Sequence, residues 1–310
     1  MDVILLCPSG LATGGTEGIH NLACHLNKVG AEAKILYVGK GDNPQPKEYK
    51  KYGVEYITEF PVGFKGTVVF PEVWGNQVLD PKCGDCKVAI NWQGVDVYDW
   101  HVPEKDRGMY LRRGDVIHIA NSDYAVNHLT KLGLKPVKIA DCLNDEFYDV
   151  LSEDTMRRDA VCYNPIEAKM TSFQREVMAR CTNELGIKFK MVEGLDRQGV
   201  INLFKHSKLY IDFGVFSGRE RLPREAVMCG CCIITSTKGT AGYFNDNSIL
   251  DKYKIDDVTQ AMQMIKYVLK NFKQCKPEFD LYRDKLKREK EHYIEDVRAL
   301  YEIFNNHSGT

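Results

Sequence analysis

The sequence predicts an α/β protein: two consecutive doubly wound parallel-sheet domains facing a cleft, followed by a C-terminal helix. Three observations carry this. Short, continuous apolar runs alternate with amphipathic stretches, the pattern of parallel strands covered by helices on both faces. The alternation lapses over the polar, acidic stretch 142–158 and then restarts. The last segment, 281–304, is highly charged but keeps Leu286, Tyr293, Val297, Leu300 and Phe304 near helical spacing. The expected division is 1–150, 151–275 and 276–310, with the last segment returning to the first domain.

In the first half, VILLC (3–7), AKILYVG (33–39), TVVFPE (67–72), KVAINWQ (87–93), DVIHIANS (115–122) and PVKIAD (136–141) read as strands. TEGIHNLACHLNKVG (16–30) and DYAVNHLTKLG (123–133) read as helices ending at glycine. In the second half, 159–165, 188–194, 208–214 and 231–236 read as strands, and 171–186, 197–207, 223–230 and 256–272 as helices. Sheets of this kind bind ligands beyond the carboxyl ends of their strands.

Composition narrows the partners. The 310 residues correspond to about two domains at roughly 150 residues each. A hydrophobic share of 44% is enough for real cores, and a net charge of -1 argues against nucleic acid. No run of about 18 apolar residues would span a membrane, and the first residues lack the basic region of a signal peptide. Eleven cysteines, mostly inside apolar runs, suit a reducing cytoplasm. Peripheral association with the inner face of a membrane stays open. Cys83 and Cys86 form a single CxxC, which without a second pair reads as structural.

The stretch YIDFGVFSGRERLPREAVMCGCCIIT (210–235) is the richest in chemistry. A strand ends at Gly214, and Pro223 suits a first helical position. The unpaired amides of a helix start attract anions, and Arg219 and Arg221 would add charge-assisted contacts to phosphate. Glu225, read into the first turn, could accept bonds from hydroxyls. A diphosphate held by cations beside a ribose held by a carboxylate describes a nucleotide-diphosphate site. A surface network of arginines and glutamates fits the same residues equally well.

This stretch, with Glu225-Ala226-Val227-Met228-Cys229-Gly230 followed by an apolar strand, resembles the donor half of GT-B glycosyltransferases. The likeness is to the large retaining family 4. CPSGLATGGTEGIHNLACHLNKVG, with Gly14 and Gly15, resembles that family's first strand, glycine loop and helix, and DVIHIANSDYAVNHLTKLGL its last helix of the first domain. The resemblance implies two Rossmann-like domains and transfer of a sugar from a nucleotide-diphosphate donor to a hydroxyl of a glycan or lipid-linked glycan acceptor, as in polysaccharide biosynthesis. It implies retention of configuration, and Glu225 at the donor ribose. Diphosphate neutralisation would fall to Arg219, Arg221 and Lys169, with Glu220, Gly239, Thr240 and Gly15 as further donor contacts. Such positive charge can replace a metal ion, so neither metal nor cofactor is expected.

Two positions depart from the pattern. Ser217 stands where relatives carry the first of two glutamates, and Glu220 is the candidate substitute. The basic pair after the first strand of the second domain is replaced by YNPIEAK, leaving Lys169. On the acceptor side the candidates are Gly14, Glu72, Trp92 and Asp96, with Trp92 equally a sugar platform or core. Were the reaction inverting, Asp96, Asp99 or Glu72 would be the base. His118, His20 and His25 read as packed histidines. The alternatives are a nucleotide-sugar 2-epimerase on the same fold, which would act on the donor without an acceptor, and a non-catalytic nucleotide- or glycan-binding module.

Overall fold

The computed structural model describes residues 1–39, 44–150, 157–166 and 170–306. They separate into two compact units. The first holds Met1–Asp141, Ser217–Arg219 and the chain from Glu291; the second holds Cys142–Phe216 and Glu220–Lys290.

In the first unit, β1 (Asp2–Pro8), β2 (Glu32–Val38), β3 (Tyr56–Ile57), β4 (Thr67–Pro71), β5 (Lys87–Trp92), β6 (Ile117–Ala120) and β7 (Val137–Lys138) form one parallel sheet. Among the described residues its order is β3-β2-β1-β4-β5-β6-β7. Buried Val3, Leu5, Val68 and Ile90 show why the central strands read as unbroken apolar runs: both faces are covered. The strand expected over 136–141 is two residues long at the sheet edge, with the Ile139 N–H still donating to the Ala120 carbonyl at 2.9 Å. Helix α1 (Gly14–Lys28) starts two residues earlier than the sequence pattern placed it, because Thr13 and Thr16 close a capping box. After β5 the chain forms α2 (Val95–His101). Helix α3 (Asp123–Lys131) is capped by Ser122, whose hydroxyl accepts from the Ala125 N–H.

The second unit begins with α4 (Asp145–Tyr148), and its sheet contains β8 (Arg158–Tyr163), β9 (Lys188–Met191), β10 (Ser207–Asp212) and β11 (Cys232–Thr235). The strands are parallel in the order β11-β10-β8-β9. Around them lie α5 (Ser172–Leu185), α6 (Arg197–Lys205), α7 (Arg221–Met228), α8 (Val258–Lys270) and α9 (Phe272–Cys275). Thr171 and Asp196 cap α5 and α6 as their sequence positions require. Cys162, Cys181, Cys229, Cys231, Cys232 and Cys275 are all buried here among Val161, Ile211, Ile233 and Ile265, thiols used as small hydrophobes.

The final helix, α10 (Asp280–Asn306), is continuous. Its start packs Tyr282 and Leu286 into the core of the second unit. Beyond Lys290 it belongs to the first unit, where Tyr293 lies edge-on to His25, with ring centroids 5.0 Å apart. There Lys87 Nζ also donates to the Phe304 carbonyl at 2.8 Å, and the Tyr301 hydroxyl to that of Gly30 at 3.2 Å. Among the described residues no helix is long and apolar enough to cross a membrane.

Candidate active site

The second unit presents two loops at the carboxyl ends of β10 and β11. Asp212, the last residue of β10, fixes the first: its carboxylate accepts from the Gly214 N–H at 3.0 Å and from the Tyr210 hydroxyl at 3.1 Å. Ser236, just past β11, donates its hydroxyl to the Gly214 carbonyl at 2.8 Å, which ties the loops at their base. They are tied again further out, where the Thr240 N–H donates to the Phe216 carbonyl at 2.8 Å. This second tie requires Gly239. Its φ of 62° disfavours any side chain, and a Cβ would fall 2.0 Å from the Phe216 oxygen. Asp212 and Ser236 therefore hold the frame of the site. Their one mark in the sequence is their position at strand ends.

Helix α7 starts at Arg221, not Pro223, with Glu220 in extended conformation at the N-cap position. Proline is tolerated at the third helical position because the first N–H groups of a helix have no intrahelical acceptor. The earlier start moves Glu225 from the expected first turn into the second, where it is buried. Arg221 is half-buried at the helix start. Arg224, the third arginine of the cluster, is interior: its guanidinium pairs with Glu289 at 3.2 Å and donates to the Glu220 carbonyl at 3.2 Å. The helix ends at Gly230 (φ 83°), with the Cys231 N–H reaching back to the Ala226 carbonyl.

The second unit thus carries Glu220, Arg221, Glu225, Gly239 and Thr240 on these two loops and the helix between β10 and β11. Arg219 is placed differently. It clusters with the first unit, buried, and donates from Nη1 to the Asp141 carbonyl at 3.3 Å. Ser217 and Gly218 go with it; a Cβ on Gly218 would meet the Gln93 carbonyl at 1.7 Å. Lys169 lies outside the described residues.

The acceptor-side candidates all belong to the first unit, as does Gly15. Gly14 and Gly15 are exposed at the start of α1, and the Gln93 side chain lies against the helix there, 2.9 Å from where a Gly15 Cβ would be. Glu72 is buried and accepts from the main-chain N–H groups of Gly94 at 3.1 Å and Gln93 at 3.4 Å. Burial outweighs these bonds and pushes its carboxyl up to about 7. It clamps the turn between β5 and α2. Trp92 is core: 1% exposed, edge-on to Tyr98 and Tyr110, its indole N–H donating to His118 Nδ1 at 3.0 Å. That leaves no face for stacking a sugar, and it explains the buried His118, which burial holds down to about 4 and so keeps neutral as an acceptor. Asp96 is half-buried and accepts from the Tyr124 hydroxyl at 3.0 Å; burial raises its carboxyl. Asp99 faces Arg107, with its charge adding to the rise at Asp96, and His101 bonds back to the Val97 carbonyl. Among the described residues no group of three or more His, Cys, Asp or Glu side chains is assembled to hold a metal ion. Cys83 and Cys86 are buried under Arg113, which donates to both of their carbonyls, and burial pushes the Cys83 thiol up to about 11, an unreactive state.

No family model matches the sequence, and no curated protein matches it in a sequence search. Solved structures do match. TarM from S. aureus aligns over 98% of this chain and 98% of its own with a TM-score of 0.73 at 7% identity. Sucrose-phosphate synthase from Thermosynechococcus elongatus aligns over 99% of this chain and 100% of its own, with a TM-score of 0.68 at 10% identity. The pneumococcal O-GlcNAc transferase GtfA, solved with UDP and GlcNAc, matches 77% of this chain and 57% of its own, with a TM-score of 0.54 at 14% identity. At such identities the likeness speaks for architecture, and the architecture of this chain is the GT-B fold of glycosyltransferases.

Proposed function

We propose that the protein is a glycosyltransferase that moves a sugar from a nucleotide-diphosphate donor to a hydroxyl of a glycan or lipid-linked glycan, with retention of configuration and without a metal ion. The observation that carries this reading is the pair of tied loops at the ends of β10 and β11, with Arg221 and Glu225 on the helix between them, in a chain of GT-B fold. Glu225 receives the ribose hydroxyls. Arg221, the first amides of α7 and Lys169 neutralise the diphosphate as it departs, when its charge is greatest and their stabilisation counts most. Thr240 and the main chain around Gly239 complete the donor side, with Glu220 in the place of the acid missing at Ser217. The acceptor is bound by the first unit around Gly14, Asp96 and the turn that Glu72 clamps. The thiol-rich cores suit the cytoplasm, which is the proposed setting.

The test is a thermal-shift screen of the full chain against UDP, GDP, CDP, dTDP, ADP and their sugars, followed by product analysis with the stabilising donor. The UDP bound by GtfA puts uridine donors first. A specific diphosphate should raise the melting temperature and its sugar should be slowly hydrolysed or transferred. Arg221→Ala should weaken the nucleoside diphosphate more than the nucleoside. Equal losses for both ligands would move Arg221 away from the phosphates, and no response to any nucleotide would overturn the reading.

A further inference from the structure

A second constellation in the donor unit takes no part in the proposed reaction. Between the 251–255 segment and α8 lies a cavity of about 470 Å³, lined by Asp251, Lys254 and Ile255 from the segment and by Gln260, Gln263, Met264 and Tyr267 from the helix. None of the donor-side candidates lines it. Lys254 is its unusual wall. The side chain is only 4% exposed, and the ammonium has Asp251 at 3.8 Å, beyond hydrogen-bond reach; that carboxylate is itself 97% exposed and screened by water. The ring of Phe244 lies 6.0 Å from the ammonium, a weak further partner. Lys252, also on the cavity wall, is committed to Glu278. Burying an ammonium with so little compensation is costly, and burial holds Lys254 below its ordinary value.

The backbone leaves the lysine no alternative. Lys254 pairs with Thr235 at the end of β11, and the next N–H, of Ile255, donates to the Thr235 carbonyl at 2.8 Å. The backbone at Lys254, a lining residue of the cavity, is therefore fixed by the sheet. The amides of Gln260 and Gln263 and the hydroxyl of Tyr267 are hydrogen-bonding groups on the opposite wall, one turn apart along α8, and Met264 and Ile255 give an apolar floor.

We propose that this cavity binds a small organic oxyanion, with its carboxylate or phosphate on Lys254 and its apolar part against Met264 and Tyr267. The occupant supplies a closer counter-charge than Asp251, whose exposed carboxylate lies 3.8 Å from the ammonium and can turn into water, in a space that matches small-molecule sites in size. This site stands independently of the donor reading.

The experiment follows thermal unfolding of the full chain with inorganic phosphate and, separately, with acetate, at constant ionic strength set by chloride. At least one of them should raise the melting temperature, and the one that does assigns the oxyanion class. The response should persist in Arg221→Ala, which separates this cavity from phosphate held at the donor loops. It should require about tenfold more anion in Lys254→Met. Should that variant not fold, Gln263→Glu, on the exposed face of α8, places a repelling charge on the wall and should raise the requirement likewise. No response of the wild type to either anion, or an undiminished response in the variant that folds, would overturn the proposal.

Discussion

Glu225 sits on α7 beside the loops where the donor is proposed to bind, and its proposed bonds to the ribose hydroxyls are charge-assisted, worth about 1.5–3 kcal/mol. Glu225→Ala should therefore weaken the nucleotide sugar by about 10- to 100-fold in calorimetry while the melting temperature of the free protein changes little; unchanged affinity would end its ribose role. Glu72, buried to a similar degree, accepts from main-chain donors, and its pH behaviour follows from burial. Its carboxyl lies near 7 in the folded chain against an ordinary value of 4.5, so the folded state holds the proton that the unfolded state has lost. Stability from this group is full below about 4.5 and falls as pH rises to 7, by up to about 3 kcal/mol. Denaturant unfolding at a series of pH values should show that slope in the wild type and a flatter profile in Glu72→Gln. A slope unchanged by the substitution would place the titration elsewhere.

At the scale of elements, the arginine-rich cluster of residues 219–224 divides. Its charge count fitted an anion site and a surface network equally, and each guanidinium ends in a different setting: Arg219 with the first unit, Arg221 at the start of α7, Arg224 inside the core. Sequence spacing could place the helix but not distinguish these, because the partner of Arg224 is Glu289, far along the chain. Removing one member of such a buried pair costs about 3–5 kcal/mol, since it strands the other charge. Arg224→Met should lose that much in denaturant unfolding, and Arg224→Met with Glu289→Leu should recover most of it. If the double variant were no more stable than the single, the pair would not be the cause. The loop after β11 makes a second, sharper demand. Gly239→Ala forces a Cβ against the Phe216 carbonyl at a backbone conformation nearly confined to glycine, a strain of about 1–3 kcal/mol. We expect lower stability and, because the tie between the two loops is lost, weaker binding of nucleoside diphosphate; retained affinity would show that the tie is not needed for the donor.

For the whole molecule, the order of strands and helices was legible because parallel strands buried on both faces leave unbroken apolar runs, while their crossover helices leave a helical period and caps. What stayed hidden were features that depend on distant partners: the identity of Trp92 as core, fixed by Tyr98, Tyr110 and His118, and the passage of 217–219 to the first unit. The long charged helix α10 hid its contacts in the same way, since its apolar positions were visible but His25, Gly30 and Lys87 were not. The proposed chemistry is a property of this whole arrangement. In the proposed reaction, positive charge from Arg221 and the first α7 amides would take the place of a metal ion as the acceptor of developing diphosphate charge, and preorganised groups of this kind need no reorganisation at the moment of reaction. Turnover of the identified donor should then persist in excess chelator and gain nothing from added magnesium or manganese. Arg221→Ala should lower kcat by about 10²–10³-fold in the same assay, the usual cost of deleting one such stabilising group. Activity abolished by chelator and restored by the metal would assign the leaving-group charge to an ion, leaving the arginine a role in binding alone.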